Sequence, residues 1–415
     1  MPVVGSAGDV HPFTGLGKAL HKRGHEVTIL TAGKFQKTVE DAGLRFVATG
    51  TAEEFDEATE NPDLWHPRKG IMVVMQTITE HLRRLYDLIA QHDQPGRTLM
   101  VCHPLAFSAR VYEDKHDTPS VTIHLAPSSI RTHHMIPAFA PGKSVSNLPM
   151  WLKNIAWWLV DHRMFDRFLE KDLNRLRAEL DLPPVSRAFA GWINSPNKII
   201  GLFPEWFGPV QPDWPRQLSL TGFPRYDEAD QHDLDPALCA WLDTNDKPIA
   251  IAPGSANAHG DDFVREAIDA IGRLNKRALV LTRYPQILPD PLPDHAMHVD
   301  YAPFSEVFPQ CAAVIHHGGI GTCAQGLAAG VPQLIMPMGF DQPDNVTRLM
   351  QLGVGDGIVR SKFKATRVAD TLSRLLNDNR VNNAASRYAE QVASDPTLDT
   401  AAQIAEAAFH KQPSH

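Results

Sequence analysis

Short apolar runs alternate with glycine-punctuated helical patterns in both halves of the chain. At the start, Val3-Val4 leads into the loop Gly5-Ser6-Ala7-Gly8-Asp9. A helical pattern through Leu16, Ala19 and Leu20 then stops at Gly24, and His25–Leu30 reads as a strand. Strand, helix, strand predicts a parallel sheet. Only two or three residues precede the first loop, whereas a strand usually runs about five or six. The pattern therefore predicts either a short first strand or a natural start further upstream. The second half restarts with Pro248–Ala252, the loop Pro253-Gly254-Ser255-Ala256-Asn257, a helix over about 262–274 and a strand at Ala278–Leu281. Two restarts predict an α/β protein of two Rossmann-like domains, 1–224 and 225–392. The boundary falls in 222–247, where Gly222, Pro224 and many acidic residues read as an exposed linker. Residues 393–415 are expected to form a C-terminal helix returning to the first domain. No internal repeat at a solenoid period is present.

The richest stretch lies further on. Ala312–Ile315 reads as a buried strand, and His316-His317-Gly318-Gly319-Ile320-Gly321-Thr322 follows. The small residues Thr322–Ala329, stopped by Gly330, read as a helix. Glycines strip side chains from the loop, so its N–H groups and the positive helix end can approach a diphosphate. His317 can add a ring N–H donor, or a positive charge when protonated. The plainer alternative is a tight turn that needs glycine for backbone reasons alone. The pair Asp341-Gln342 at the end of the next strand pattern, Leu334–Met336, turns the reading towards a nucleotide-sugar site.

Composition narrows the classes. The chain has 415 residues, 43% hydrophobic and 21% charged, which is globular and long enough for two cores. Forty basic against forty-eight acidic residues give −8, which offers no electrostatic case for nucleic acid. The four cysteines form no C-x-x-C pair and read as small buried residues of a reducing compartment. The histidine pairs His133-His134 and His316-His317 lack the i, i+4 spacing of a helical metal site, so no metal is expected. No signal-peptide pattern opens the chain, and no apolar run approaches the ~20 residues that span a bilayer. A cytoplasmic protein is expected. One segment, Ile130 to Leu180, is rich in Met135, Met150, Trp151, Trp157, Trp158, Met164 and Phe165. Helices packing on a core would account for it. So would an apolar acceptor pocket or a face touching the inner side of a membrane.

From about Tyr301 to Gln342 the sequence resembles the donor-binding motif of the UDP-glycosyltransferase superfamily. That resemblance implies the GT-B fold, two facing Rossmann-like domains with a cleft between them. It implies that His317, Gly319, Gly321 and Thr322 hold the diphosphate and that Asp341 and Gln342 contact the sugar. It also implies a nucleoside site at Tyr301, Ala302 and Gln325. Plant members carry a glutamate at the Gln325 position and a tryptophan at that of Tyr301, and a neutral amide cannot offer two anionic acceptors to a ribose. Ser255 resembles a second phosphate-side loop. Several further stretches resemble the rhamnosyltransferase chains of rhamnolipid synthesis: Gly5–Val10 with Pro12-Phe13, Asn61–Trp65, Leu202–Phe207, and Gln211–Pro224. The glycine run also looks like that of sterol glucosyltransferases and antibiotic-tailoring enzymes.

These resemblances imply an inverting, metal-independent glycosyltransferase that moves a hexose from a UDP- or dTDP-sugar to a hydroxyl of a hydrophobic acceptor, with no cofactor beyond that co-substrate. The base is Asp9, at the loop where doubly wound sheets bind ligands, or His11, whose ordinary pKa suits the task better. Asp9 also reads as a helix N-cap. His103 and Arg131 follow apparent strands and are candidates for acceptor contact. The alternatives are a nucleotide-sugar 2-epimerase of the same fold and a non-catalytic sugar- or lipid-binding subunit. A dinucleotide oxidoreductase fits least, because Gly5–Gly8 is not G-x-G-x-x-G and no acidic residue ends the second strand.

Overall fold

The computed structural model describes residues 1–410 apart from 62, 67–68, 139, 143–147, 230–233, 245, 256 and 258–259. Pro62 and Ala256, named above, lie outside the described residues, as does the side chain of Met164. Two compact units form. The first comprises Met1–Ile136, Val145–Pro224 and Pro396–His415, and the second Pro137–Ser144 and Arg225–Asp395. A contiguous division at 224 and 392 misses one short crossing. The Ala138 N–H donates to the Asp344 carboxylate over 3.0 Å, and the Gly142 N–H to the Thr347 hydroxyl over 3.1 Å. Contacts about two hundred residues apart leave no trace in local periodicity.

In the first unit, β1 (Thr28–Ala32) pairs in parallel with β2 (Arg45–Gly50). A second parallel sheet runs in the order β3 (Met100–Cys102), β4 (Ser120–His124), β5 (Lys198–Gly201), β6 (Leu218–Leu220). The strand expected at Val3-Val4 is reduced to a single parallel bridge, Pro2 against Leu30. Its backbone still joins both sheets. The Val3 N–H donates to the Leu30 carbonyl and the His103 N–H to the Pro2 carbonyl. Residues 1–3 thus lie between β1 and the end of β3, and the loop that follows them emerges beside His103.

The first helix begins earlier than its sequence pattern implies, spanning Ala7–Lys22 with Ser6 as N-cap. Asp9 is therefore not the cap. It is the third helical residue, completing a capping box with Ser6, and Pro12 sits inside the helix. Helix Leu398–His410 belongs to this unit and buries Ala401, Ala402, Ala405 and Ala408. Glu406 on it accepts from Arg23 over 2.6 Å and meets His25 over 2.7 Å.

The second unit is one six-stranded parallel sheet. Its strands are β7 (Ile249–Ala252), β8 (Ala278–Leu281), β9 (Ala296–Val299), β10 (Ala313–His316), β11 (Gln333–Ile335) and β12 (Gly355–Gly357), in the order β12-β11-β10-β7-β8-β9. Strands covered on both faces read as continuous apolar runs, which is why β7, β8 and β10 are legible in sequence. Ile251, Ile268, Val280, Ile315 and Leu334 form part of the core. The strand order reverses between β7 and β10. In open α/β sheets the crevice beyond the carboxyl ends at such a point is where ligands bind.

Candidate functional site

Two loops leave the switch point, one after β7 and one after β10. Gly254 in the first has φ +107°, and Gly318 in the second has φ +95°, both in the region that favours glycine. The imidazole of His317 packs against glycines from both loops. A Cβ on Gly254 would lie 2.9 Å from the ring's Cε1, and one on Gly319 would lie 2.6 Å from Nε2. These two glycines exist to admit the ring. A Cβ on Gly321 would meet nothing within 4 Å, so that position faces open space.

The two adjacent histidines differ in role. His316 is fully buried; its Nδ1 accepts from the Gly318 N–H over 3.1 Å, so Nε2 carries the proton and donates to Gln333 Oε1 over 3.0 Å. Burial pushes its pKa down to about 3. It braces the loop. His317 keeps a buried Nδ1 with no hydrogen-bond partner. Burial pushes its pKa down to about 4, against the Ala252 carbonyl, which acts in the opposite direction. Burial leaves the ring neutral near pH 7, and a second ring proton, donated to an incoming anion, would be stabilised by that anion's charge.

Helix Ile320–Ala329 starts directly from the loop. Its N-cap Gly319 supplies no side-chain bond, and its first turn holds no acidic residue. Its leading N–H groups therefore lack a side-chain partner at a positive helix end, the arrangement that attracts an anion. Gly330 closes the helix at φ +67°. Thr322 lies in the open first turn, half-buried, and Ser255 is exposed on the neighbouring loop, its carbonyl accepting from the Tyr284 hydroxyl over 3.0 Å.

Asp341 and Gln342 open the helix Gln342–Leu352, with Asp341 at its N-cap. The Gln342 Oε1 accepts from the Met338 and Gly339 N–H groups over 2.7 and 3.1 Å, which leaves its NH2 as the end not used. Asn345, fully buried, is the residue that sequence inspection missed. Its Nδ2 donates to the Gly318 carbonyl over 3.0 Å and to Asp341 Oδ2 over 2.7 Å. One amide thus ties the glycine loop to the acidic residue. The spacing of four from Asp341, one helical turn, is the signal that could have exposed it.

Around Tyr301 a second cluster forms. Its hydroxyl donates to the Asp227 carbonyl, and the Arg283 guanidinium lies 4.9 Å from its ring centroid. Burial first, then Glu228 and Asp227, push the phenol well above its ordinary pKa. Gln325, buried, donates to the Asp227 carboxylate over 3.3 Å, and that carboxylate also accepts from the Ser305 N–H over 2.7 Å. Ala302 is buried next to Tyr301. Asp227 and Arg283 were not anticipated, because their partners are distant in sequence.

In the first unit, Asp9 Oδ2 accepts from the Ser6 N–H over 2.7 Å, while Oδ1 faces His103 Nε2 at 3.5 Å. His103 is buried, and its Nδ1 accepts from the Leu105 N–H over 3.3 Å, so Nε2 bears the proton on the side of Asp9. His103, considered above for acceptor contact, lies beside the carboxylate. His11 and Asp9 both lie on the first helix, and two residues turn a helix by about 200°, so their side chains leave from opposite sides. Arg131 is corrected more firmly. Its guanidinium is paired to Asp161, itself buried, and lies 4.4 Å from the Trp157 ring, so it is not free to grip an acceptor. Among the described residues, no group of three or more His, Cys, Asp or Glu is placed to hold a metal ion.

This architecture matches known proteins over its whole length. Residues 1–89 match the glycosyltransferase family 28 N-terminal domain, and residues 265–408 the erythromycin biosynthesis protein CIII-like C-terminal domain. An O-mycaminosyltylonolide 6-deoxyallosyltransferase of Streptomyces fradiae is 28% identical, covering 97% of this chain and 95% of that protein. A sterol 3-beta-glucosyltransferase of Arabidopsis thaliana is 26% identical over 100% of this chain and 65% of its own length. Among solved structures, a spinosyn rhamnosyltransferase complexed with thymidine diphosphate aligns with a TM-score of 0.67 at 20% identity, over 96% of this chain and 97% of that one. The glycotransferase of kitacinnamycin aligns with a TM-score of 0.75 at 19% identity, over 99% and 98%. These matches support a glycosyltransferase of the GT-B fold, with two Rossmann-like units. It is a sugar-transferring enzyme that uses nucleotide-sugar donors.

Proposed function

We propose that this enzyme is an inverting, metal-independent hexosyltransferase that moves the sugar of a UDP- or dTDP-sugar to a hydroxyl of a hydrophobic acceptor. The observation that carries the donor half is the helix start Ile320–Thr322, uncapped by any side chain, with the unpartnered Nδ1 of His317 beside it at the switch point. In this reading Ser255, His317, Gly319, Gly321 and Thr322 take the diphosphate. Tyr301, Ala302 and Gln325 border the nucleoside, and Asp341 with the Gln342 amide takes sugar hydroxyls. The ring systems in the names of the relatives, an O-mycaminosyltylonolide and a sterol, support a hydrophobic acceptor. A lipid acceptor would bring the enzyme to a membrane surface.

Asp9 takes the acceptor proton. The acceptor oxygen then bonds to the anomeric carbon as the bond from that carbon to the diphosphate breaks, and the electron pair leaves on the diphosphate. Fixed N–H groups around the departing charge are each worth a few kcal/mol at such a transition state. One displacement inverts the anomeric centre. His103 touches neither substrate in this scheme; its Nε2–H holds the Asp9 carboxylate in place.

Steady-state transfer from dTDP- and UDP-sugars to hydroxy-fatty-acid and sterol acceptors tests the assignment. Asp9→Asn should lower kcat by about 10²–10⁴, the usual worth of a general base, with nucleotide affinity unchanged. Full turnover by that variant would remove Asp9 from the mechanism.

A further inference from the structure

Helix Met150–Val160 and the π-helical turn Asp161–Phe165 that follows it are built inside out. Two charged residues point inward, Lys153 being 6% exposed and Asp161 1%. The large apolar residues point outward, with Trp151 61% exposed, Trp158 54%, Ile155 48% and Met150 44%. Trp151, Ile155 and Trp158 recur at i, i+4 and i+7, so they share one face. The inward contacts fix that orientation. Lys153 Nζ donates to the His134 carbonyl over 3.4 Å and Trp157 Nε1 to the Thr132 carbonyl over 3.0 Å. Asp161 is held by Arg131 and, at 3.1 Å, by Arg187. A helix facing water would show the opposite distribution, because exposing two indoles forgoes the largest burial any side chain offers.

The outward face continues into cations. The Trp158 indole stacks on His162 at 5.4 Å with an interplanar angle of 9°, and Arg163 and Arg167 follow on the surface. Tryptophans over an apolar face, flanked by arginines, match the boundary between lipid headgroups and acyl chains, where indole rings collect and cations meet anionic phosphates. We propose that this helix docks the enzyme on an anionic membrane surface, with Trp151, Ile155 and Trp158 in the acyl boundary and Arg163 and Arg167 at the phosphates. Its purpose rests on the reading of a membrane-borne acceptor, but the docking itself is measurable without turnover.

The test is co-sedimentation of the full chain with phosphatidylcholine vesicles, with and without phosphatidylglycerol, together with tryptophan fluorescence. Binding to the anionic vesicles with a blue-shifted emission is expected. Trp151→Ser/Trp158→Ser should weaken binding about tenfold or more while the melting temperature and nucleoside diphosphate affinity stay at wild-type values. Arg163→Gln/Arg167→Gln should weaken binding only to vesicles that contain phosphatidylglycerol. Equal binding by the tryptophan variant, or no binding by the wild type to either vesicle, would overturn the proposal. A dimer in sedimentation equilibrium that the tryptophan variant dissolves, without vesicle binding, would overturn it in favour of a second copy. Vesicle binding by a protein that transfers no sugar would leave this proposal standing and sink only the acceptor reading.

Discussion

The Asn345 amide donates to the Asp341 carboxylate over 2.7 Å and, through the same nitrogen, to the Gly318 carbonyl over 3.0 Å. The loop assigned to the diphosphate and the residue assigned to the sugar are therefore set by one side chain. Asn345→Ala removes both bonds inside a buried site and should cost about 1–3 kcal/mol of stability. It should also weaken nucleotide-sugar binding more than binding of the bare nucleoside diphosphate. Chemical denaturation and donor titration check the two effects. Unchanged stability would mean that the loop holds itself.

Three glycines of the site make a built-in comparison. Gly254→Ala and Gly319→Ala each drive a methyl group into the His317 ring, at 2.9 and 2.6 Å. Gly321→Ala meets nothing within 4 Å. If His317 faces the diphosphate, the first two should reduce nucleoside diphosphate affinity by about tenfold or more, roughly the loss of one charge-assisted hydrogen bond. Gly321→Ala should leave the empty loop undisturbed, so any loss it causes must come from contact with the bound ligand itself. Calorimetry on the three variants separates the cases. Equal affinity in all three would disconnect the ring from binding.

The Asp9–His103 pair lends itself to a double-mutant cycle. His103→Ala should lower kcat by about tenfold to a hundredfold with little change in donor KM, since it orients the carboxylate and touches no donor atom. Added to Asp9→Asn it should cost nothing more, because a residue that acts through another has no effect once that other is gone. Additive losses would show that His103 acts on the substrate independently.

Three buried histidines make the fold acid-sensitive. Burial pushes His124 and His317 down to about 4 and His316 to about 3. Each is neutral when folded and titrates near 6.5 when unfolded, so below pH 6.5 the unfolded chain binds more protons and stability falls as pH falls. The loss runs from about pH 6.5 to the folded values, and each proton contributes up to about 1.4 kcal/mol per pH unit. Denaturant titrations at pH 7, 6 and 5 should show a stability that drops with each step. A flat profile across that range would contradict the burial of these rings.

Much of this was readable before any fold was seen, for a definite reason. The strands at the switch point are buried on both faces, so Ile249–Ala252 and Ala312–Ile315 stand out as unbroken apolar runs, and glycine punctuates the loops that leave them. Asp341-Gln342 and the helix stop at Gly330 were equally visible. What stayed hidden depends on contacts far apart in the chain. His103 meets Asp9 across more than ninety residues, and Asp227 collects Tyr301, Ser305 and Gln325 from another part of the sequence. Arg131 is taken up by Asp161, thirty residues further along the chain. Periodicity also could not show that the helix through Trp151 and Trp158 turns its charges inward, since an apolar stripe reads the same from either side.

The most direct test of the donor site is calorimetric titration of the wild-type protein and His317→Ala with UDP and dTDP, with and without EDTA. The expected result is that one or both nucleotides bind the wild type, that chelation leaves the affinity unchanged, and that the variant binds at least about tenfold more weakly. If neither nucleotide binds, or if His317→Ala binds as tightly as the wild type, the glycine loop after β10 is not where the diphosphate sits.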